Sequence, residues 1–213
     1  LFPYTTLFRS PSGSFLARSL QPGERVLIHG GTSGVGILMG QIARALGAEV
    51  FATVGSEEKA NLLQSFNILA INHRAAPFHE QILAATGGQG LDVIVDTLGA
   101  PQLANHFKLL RPRGRLVSIA FLDGNLLEQC KLSGLLVKQL RWSGAMLRPR
   151  SLAEKAGLIH TVATHVWPHL ARGSIRPVID SVFPLPDAKK ALTRMQERLH
   201  LGKILLEVPA MCR

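Results

Sequence analysis

Short apolar runs alternate with longer helical periods along most of this chain. Arg25–His29, Glu49–Thr53, Leu69–Asn72 and Leu91–Asp96 are rich in branched and aromatic residues, are bounded by turn residues, and are too short for helices, so each predicts a strand. Between them lie a helix over Gly34–Leu46 that Gly47 ends as a left-handed cap, a helix capped by Ser56 with Glu57 and Glu58 in its first turn, and a helix over Phe78–Ala85 closed by Gly87-Gly88. The rhythm continues with a helix over Pro101–Leu110, a strand over Arg115–Ala120, a helix over Leu126–Gln139 and a strand over Leu140–Ala145. Such alternation predicts an α/β fold, a doubly wound parallel sheet covered on both faces. After Arg150 the pattern changes. Ser151–Arg172 reads as one long helix ended at Gly173, followed by a strand over Val178–Phe183, a helix over Pro186–Leu199 and a strand over Lys203–Val208. This last strand–helix–strand falls beyond the six-stranded count and is expected to belong to a second unit. Upstream, Pro11–Leu20 reads as the tail of a helix before a turn at Gln21–Glu24.

Chemistry concentrates at the junction of the first strand and first helix, in Gly30-Gly31-Thr32-Ser33-Gly34-Val35-Gly36. A strand, a glycine turn and a helix in that order make a phosphate-binding unit. Glycine lets the backbone approach a diphosphate, and the helix N-terminus offers N–H groups and partial positive charge. In a dinucleotide fold an acid about twenty residues further on selects NAD through the ribose hydroxyls. Here that position falls in Thr53-Val54-Gly55-Ser56, which holds no acid; Ser56 supplies a hydroxyl and Lys59 an ammonium one turn later. Ser56 also reads simply as a helix cap and Lys59 as a surface residue. His73 and Arg74 follow the third strand and stand where they could close the same pocket. Two more loops follow strand ends, Thr97-Leu98-Gly99 and Ile119 to Gly124, and Asp96 reads as a capping residue.

Other chemistries lack their residues. The Gly-x-x-x-Gly-x-Gly spacing also fits short-chain dehydrogenases, but these need a Tyr-x-x-x-Lys pair and Tyr4 is the only tyrosine. Gly36 is followed by Ile37-Leu38 rather than Lys-Ser/Thr, which argues against a kinase or ATPase, and no Gly-x-Ser-x-Gly elbow is present. His160, His165 and His169 share a helical stretch without a carboxylate or thiolate to complete a zinc shell, so no metal is expected.

Composition narrows the setting. The 213 residues suffice for a sizeable core, and 46% hydrophobic with 18% charged residues describes a globular chain. No stretch approaches the ~20 apolar residues of a membrane helix. Cys130 and Cys212 match no redox or zinc motif and leave the cytoplasm as the default compartment. The net charge of +10 favours phosphate-bearing ligands, but the basic residues are dispersed and lack aromatic interleaving, which argues against nucleic acid. Leu1–Ser10 continues no pattern and is also the conceptual translation of a widely used sequencing adapter. It is set aside from fold reasoning, and the genuine protein is expected to extend upstream of Pro11.

The ordered set of motifs resembles a family. Pro22 to Gly36, Thr53 to Lys59, Val95-Asp96-Thr97-Leu98-Gly99, Gly144 to Arg150 and Gly202-Lys203-Ile204-Leu205-Leu206-Glu207 together are similar to zinc-free medium-chain reductases. Among these they resemble the NADPH:quinone oxidoreductases akin to zeta-crystallin, especially the p53-inducible type. The resemblance implies a Rossmann NADPH-binding domain over 11–173 and, over 174–213, a returning segment of a mostly missing catalytic domain. It places Thr32, Ser33, Gly34 and Val35 at the diphosphate, and Gly55, Ser56 and Lys59 at the 2′-phosphate. His73 stands where relatives often have a tyrosine near the adenine. Leu98, with the loops holding Ile119, Ala120 and Phe121 and Leu147 and Arg148, would approach the nicotinamide half; Ala120 replaces a common glycine. The implied reaction is hydride transfer from NADPH to a quinone or enone, with no acid–base residue identified and a homodimer expected for the full-length protein. An enoyl-thioester reductase of the same superfamily, and a non-enzymatic nucleotide- or nucleic-acid-binding module, are the alternatives.

Overall fold

The structure, a computed structural model, describes residues 20–127 and 130–208. The adapter-like segment, nearly all of the expected helix before Leu20, and Cys212 lie outside the described residues. Six parallel strands form the main sheet: β1 (Arg25–Ile28), β2 (Glu49–Val54), β3 (Leu69–Asn72), β4 (Leu91–Asp96), β5 (Leu110–Ser118) and β6 (Arg141–Gly144). Their spatial order is β3-β2-β1-β4-β5-β6, the doubly wound order in which the chain reverses direction beside β1. The expected fold class is observed.

Burial explains why the central strands read as unbroken apolar runs. Val26, Leu27 and Ile28 of β1 and Val93, Ile94 and Val95 of β4 are fully buried, because helices cover both faces. Alternate residues serve opposite layers. Val26 and Ile28 pack with Ile37 of α1 (Gly36–Ala45) and Leu63 of α2 (Glu57–Gln64). Leu27 and Ile94 pack with Phe78 and Ile82 of α3 (Phe78–Ala85) and Phe107 of α4 (Leu103–Leu109).

Several boundaries differ from expectation, each for a local reason. The helix expected from Pro101 begins as a 3-10 turn, Ala100–Gln102, before α4. β5 starts at Leu110, pairs Leu110 with Leu91, shifts register, and passes Arg113 at φ +65 before the run to Ser118. Ile119 and Ala120 therefore lie in a loop, not in a strand. The helix expected over Leu126–Gln139 is only α5 (Ser133–Val137) among the described residues. Upstream of it the backbone is committed elsewhere: Leu122 and Asp123 donate to the Thr97 and Leu98 carbonyls, and Ala100 donates to that of Gly124.

The long helix expected over Ser151–Arg172 is two. α6 (Leu152–His165) opens with a reciprocal box in which Ser151 Oγ accepts from the Glu154 N–H and Glu154 accepts from the Ser151 N–H. It stops at Val166, because Pro168 in α7 (Trp167–Ala171) has no N–H to continue the ladder. The chain then forms β7 (Ile179–Pro184), α8 (Ala188–Gln196) and β8 (Lys203–Glu207), with β7 and β8 paired in parallel as a separate two-stranded sheet.

Candidate cofactor-binding site

All the strands of the main sheet point their C-terminal ends to one side, where a doubly wound fold binds its ligand. The glycine turn leaves β1 there. Gly30 adopts φ +66, and a side chain on Gly36 would strike the Gly30 carbonyl oxygen, so both positions require glycine for the turn to fold back tightly. Ser33 Oγ accepts from the Gly36 N–H at 3.0 Å, and the Ser33 carbonyl accepts from Ile37 at 3.0 Å, fixing the entry to α1. The last segment of the chain reaches this turn. Gly202 donates to the Thr32 carbonyl at 2.8 Å, and the Lys203 side chain lies against Gly34. Thr32, Ser33, Gly34 and Val35 are thus assembled at one helix start, with Gly202 and Lys203 beside them.

At the end of β2, Ser56 caps α2, its hydroxyl accepting from the Lys59 N–H at 3.4 Å. Lys59 Nζ donates to the Arg198 carbonyl at 2.6 Å. Partial burial, with Arg74 and then Arg198 nearby, lowers the lysine's affinity for its proton, against the opposing pull of Glu58. His73 is lowered in the same way by burial, then by Arg74. The missing side chain of Gly55 leaves room for His73 and Arg74, whose nitrogens stand 3.4 and 3.5 Å from where its Cβ would be. Glu57 turns aside, accepting from Asn72 Nδ2 at 2.8 Å. Gly55, Ser56, Lys59, His73 and Arg74 are therefore gathered at the C-terminal ends of β2 and β3, with Lys59 reaching the Arg198 carbonyl.

The third part of the crevice lies over β4, β5 and β6. Asp96 is buried, and its Oδ1 accepts from the N–H groups of Leu98 and Gly99 at 2.8 and 3.1 Å, which shapes that loop and fits the capping role read from the sequence. Ile119, Ala120 and Phe121 line a cleft of about 500 Å³ together with Met146 and Arg150. Leu147 and Arg148 adjoin the lining residues without joining them, and Leu98 lies on the neighbouring loop. Basic runs elsewhere are partly spent on ion pairs: Arg111 meets Asp92 at 3.2 Å and Arg115 meets Glu24 at 2.5 Å.

Comparison with known proteins settles the family. Residues 34–164 match the family described as zinc-binding dehydrogenase. The chain belongs to that family. It is a member of the medium-chain dehydrogenase/reductase superfamily, and it spans only part of the length of the proteins it resembles. The chain is 34% identical over 197 residues to the "Highly reducing polyketide synthase cm3B" of Cordyceps militaris, covering 90% of this chain and 8% of that synthase. It resembles the solved structure of CurK enoyl reductase (TM-score 0.75, 31% identity), covering 98% of this chain and 61% of that one. It also resembles a quinone oxidoreductase of Pseudomonas syringae pv. Tomato DC3000 (TM-score 0.74, 27% identity), covering 92% and 62%. Among the described residues no helix is long and apolar enough to cross a membrane.

The family description implies zinc. Among the described residues one group of side chains has suitable ligand atoms close together: His29, Asp96 and His106, all buried. It has no fourth ligand there and leaves His106 Nδ1 without a partner, so it does not fit zinc. The sequence reading missed this group because its members are spread over three elements and no spacing rule connects them.

Proposed function

We propose that this chain is the NADPH-binding part of an enoyl reductase, which delivers hydride to the β-carbon of an α,β-unsaturated thioester. The likeness to CurK enoyl reductase over nearly the whole chain carries the reading, and the polyketide synthase relative supports it. Lys59, Arg74 and Arg198 around Gly55, with no carboxylate in the Thr53–Ser56 turn, favour the extra phosphate of NADPH.

In this reading Thr32, Ser33, Gly34 and Val35 receive the diphosphate, and Gly55, Ser56 and Lys59 hold the 2′-phosphate beside His73. Leu98, Ile119, Ala120 and Phe121 form one wall for the nicotinamide half, and Leu147 and Arg148 approach from the facing loop. When bound, the cofactor supplies the hydride. The chain's own residues orient it and shield it from water, which is the protein's main contribution to such a transfer. β7, α8 and β8 stand outside the six-stranded sheet. A second reading, a quinone or enone reductase, is favoured by the likeness to the Pseudomonas protein and uses the same hydride chemistry.

Titration with NADPH and NADH separates the cofactors, and tighter NADPH binding is expected. Saturation-transfer NMR on the NADP⁺-loaded chain, with crotonyl-pantetheine and a benzoquinone in competition, separates the substrates. Contact with the thioester is expected; contact with the quinone alone moves the assignment to the second reading, and equal affinity for both cofactors removes NADPH.

A further inference from the structure

The chain between α8 and β8 is tied first to the end of β2 and then to the end of β1. The Arg198 carbonyl accepts from Lys59 Nζ, in the first turn of α2, at 2.6 Å. The Gly202 N–H donates to the Thr32 carbonyl, in the glycine turn, at 2.8 Å. Both tethered residues hold left-handed backbone, Arg198 at φ +57 and Gly202 at φ +92. A side chain on Gly202 would strike the Val178 carbonyl oxygen, so the path is fixed at that end. Midway, the Leu201 N–H donates to Asp180 Oδ1 at 2.9 Å. These two strand ends are the ones to which a doubly wound fold assigns the diphosphate and the adenosine ribose of a dinucleotide.

His200 stands at the centre of this crossing and is partly buried. Its Nδ1 is enclosed without a partner, and neither ring nitrogen hydrogen-bonds to another described residue. A neutral imidazole carries one proton. Keeping it on Nε2 leaves only a bare acceptor inside the fold, whereas keeping it on Nδ1 encloses a donor with nothing to bond. The surroundings favour the neutral ring: burial first, then Lys59, with Asp180 opposing and Arg194 and Lys203 adding, lowers its affinity for a second proton. Lys59 belongs to the cluster at the end of β2, and the Lys203 side chain lies against Gly34 of the glycine turn. The ring is thus held between the groups assigned to the 2′-phosphate and those assigned to the diphosphate.

We propose that His200 is a further cofactor-binding residue, its Nε2–H donating to the ribose–phosphate oxygens of the adenosine half. The assignment rests on the dinucleotide reading given above. A neutral N–H adds direction at a place where Lys59 and Lys203 already supply positive charge. The adenosine half is then gripped from two sides, by the glycine turn of the sheet and by the segment that follows α8.

The 213-residue chain, labelled with ¹⁵N-histidine, is titrated with NADP⁺, 2′,5′-ADP and nicotinamide mononucleotide. The His200 ring signals are assigned by their loss in His200→Gln. They should move with NADP⁺ and with 2′,5′-ADP, which is the adenosine half alone, and stay in place with the mononucleotide. By calorimetry, His200→Leu should weaken NADP⁺ binding roughly tenfold, while His200→Gln, whose amide N–H lies near the Nε2 position, should stay within about threefold of the unaltered protein. Ring signals unmoved at saturation overturn the assignment. So does His200→Leu binding as tightly as the unaltered protein, and equal loss in the Leu and Gln variants makes His200 a packing residue. If His200→Leu loses native circular dichroism, the ring signals of the unaltered protein decide alone. NAD⁺ binding as tightly as NADP⁺ removes the NADPH preference, and His200 is then judged by the same signals with NAD⁺. No binding of either nucleotide overturns both.

Discussion

At the end of β2, the proposed preference for NADPH rests on single charges. Burial first, then Arg74 and more weakly Arg198, lowers the lysine's hold on its proton, with Glu58 and Asp180 opposing; a dianionic phosphate would favour the charged form. Lys59→Glu should weaken NADPH binding by about tenfold or more, equivalent to ~1.4 kcal/mol, and leave NADH nearly unchanged. Fluorescence titration at two ionic strengths checks it, because the wild-type preference should also shrink in high salt. Ser56 and Lys59 were nominated by their distance along the sequence from the glycine turn, and His73 by its place after the third strand. Arg198 was not, since it stands 139 residues beyond Lys59 and only the fold joins them. Gly36 makes a second residue-scale case. Its own position in the motif marks it as important, but the reason is the Gly30 carbonyl in the space of its missing side chain. Gly36→Ala should destabilise the fold by roughly 1–3 kcal/mol, read from urea unfolding, with the loss concentrated at the β1–α1 junction.

Individual elements were legible where one force dominated. β3, α3 and β4 appear at the expected residues because short apolar runs and glycine stops agree there. Disagreement arose where tertiary bonds competed with local preference. The segment around Leu122–Gly124 gives its hydrogen bonds to the Leu98 loop, and Pro168 overrides an otherwise continuous helical pattern. In the β7–α8–β8 unit, one acid adds to the strand pairing by tying α8 and the approach to β8 onto β7. Asp180 in β7 accepts from Arg194 Nε and Nη2 of α8 at 2.6 and 2.8 Å, from the Leu201 N–H at 2.9 Å and from Ser181 Oγ at 2.7 Å. The Arg194 guanidinium, outweighing burial, holds its carboxyl well below the usual carboxylate range. A depressed folded-state value stabilises above the unfolded value of about 3.9 and is lost as pH falls through the folded one. Asp180→Asn should therefore lower the unfolding midpoint at neutral pH. The gap to the unaltered protein should stay constant down to about pH 5 and narrow only below about 3.9.

On the scale of the whole molecule, the C-terminal unit is fastened to the six-stranded domain at a few polar points that frame the cofactor crevice. Gln41 on α1 is the deepest of them: its Nε2 donates to the Arg176 carbonyl at 2.9 Å and its Oε1 accepts from the Arg176 N–H at 2.8 Å. Around that paired amide, Leu38 and Ile42 of α1 pack against Val162, Val166 and Ile175. At the glycine turn and the end of β2, Gly202 donates to the Thr32 carbonyl, and Lys59 to that of Arg198. The C-terminal unit thus touches the glycine turn and the end of β2 directly. Gln41→Leu keeps the apolar seam but leaves the part-buried Arg176 N–H and C=O without their side-chain partner, a penalty of about 1 kcal/mol. Because the seam joins two units with separate sheets, that loss should appear as broken cooperativity and not as uniform weakening. Hydrogen exchange should accelerate across 174–207 while β1, β2 and β4 keep their protection. A bound dinucleotide touching both the glycine turn and the Arg198 pocket should restore much of the difference by mass action. Uniform acceleration through both units would mean that they unfold as one body and that Gln41 is only a packing residue.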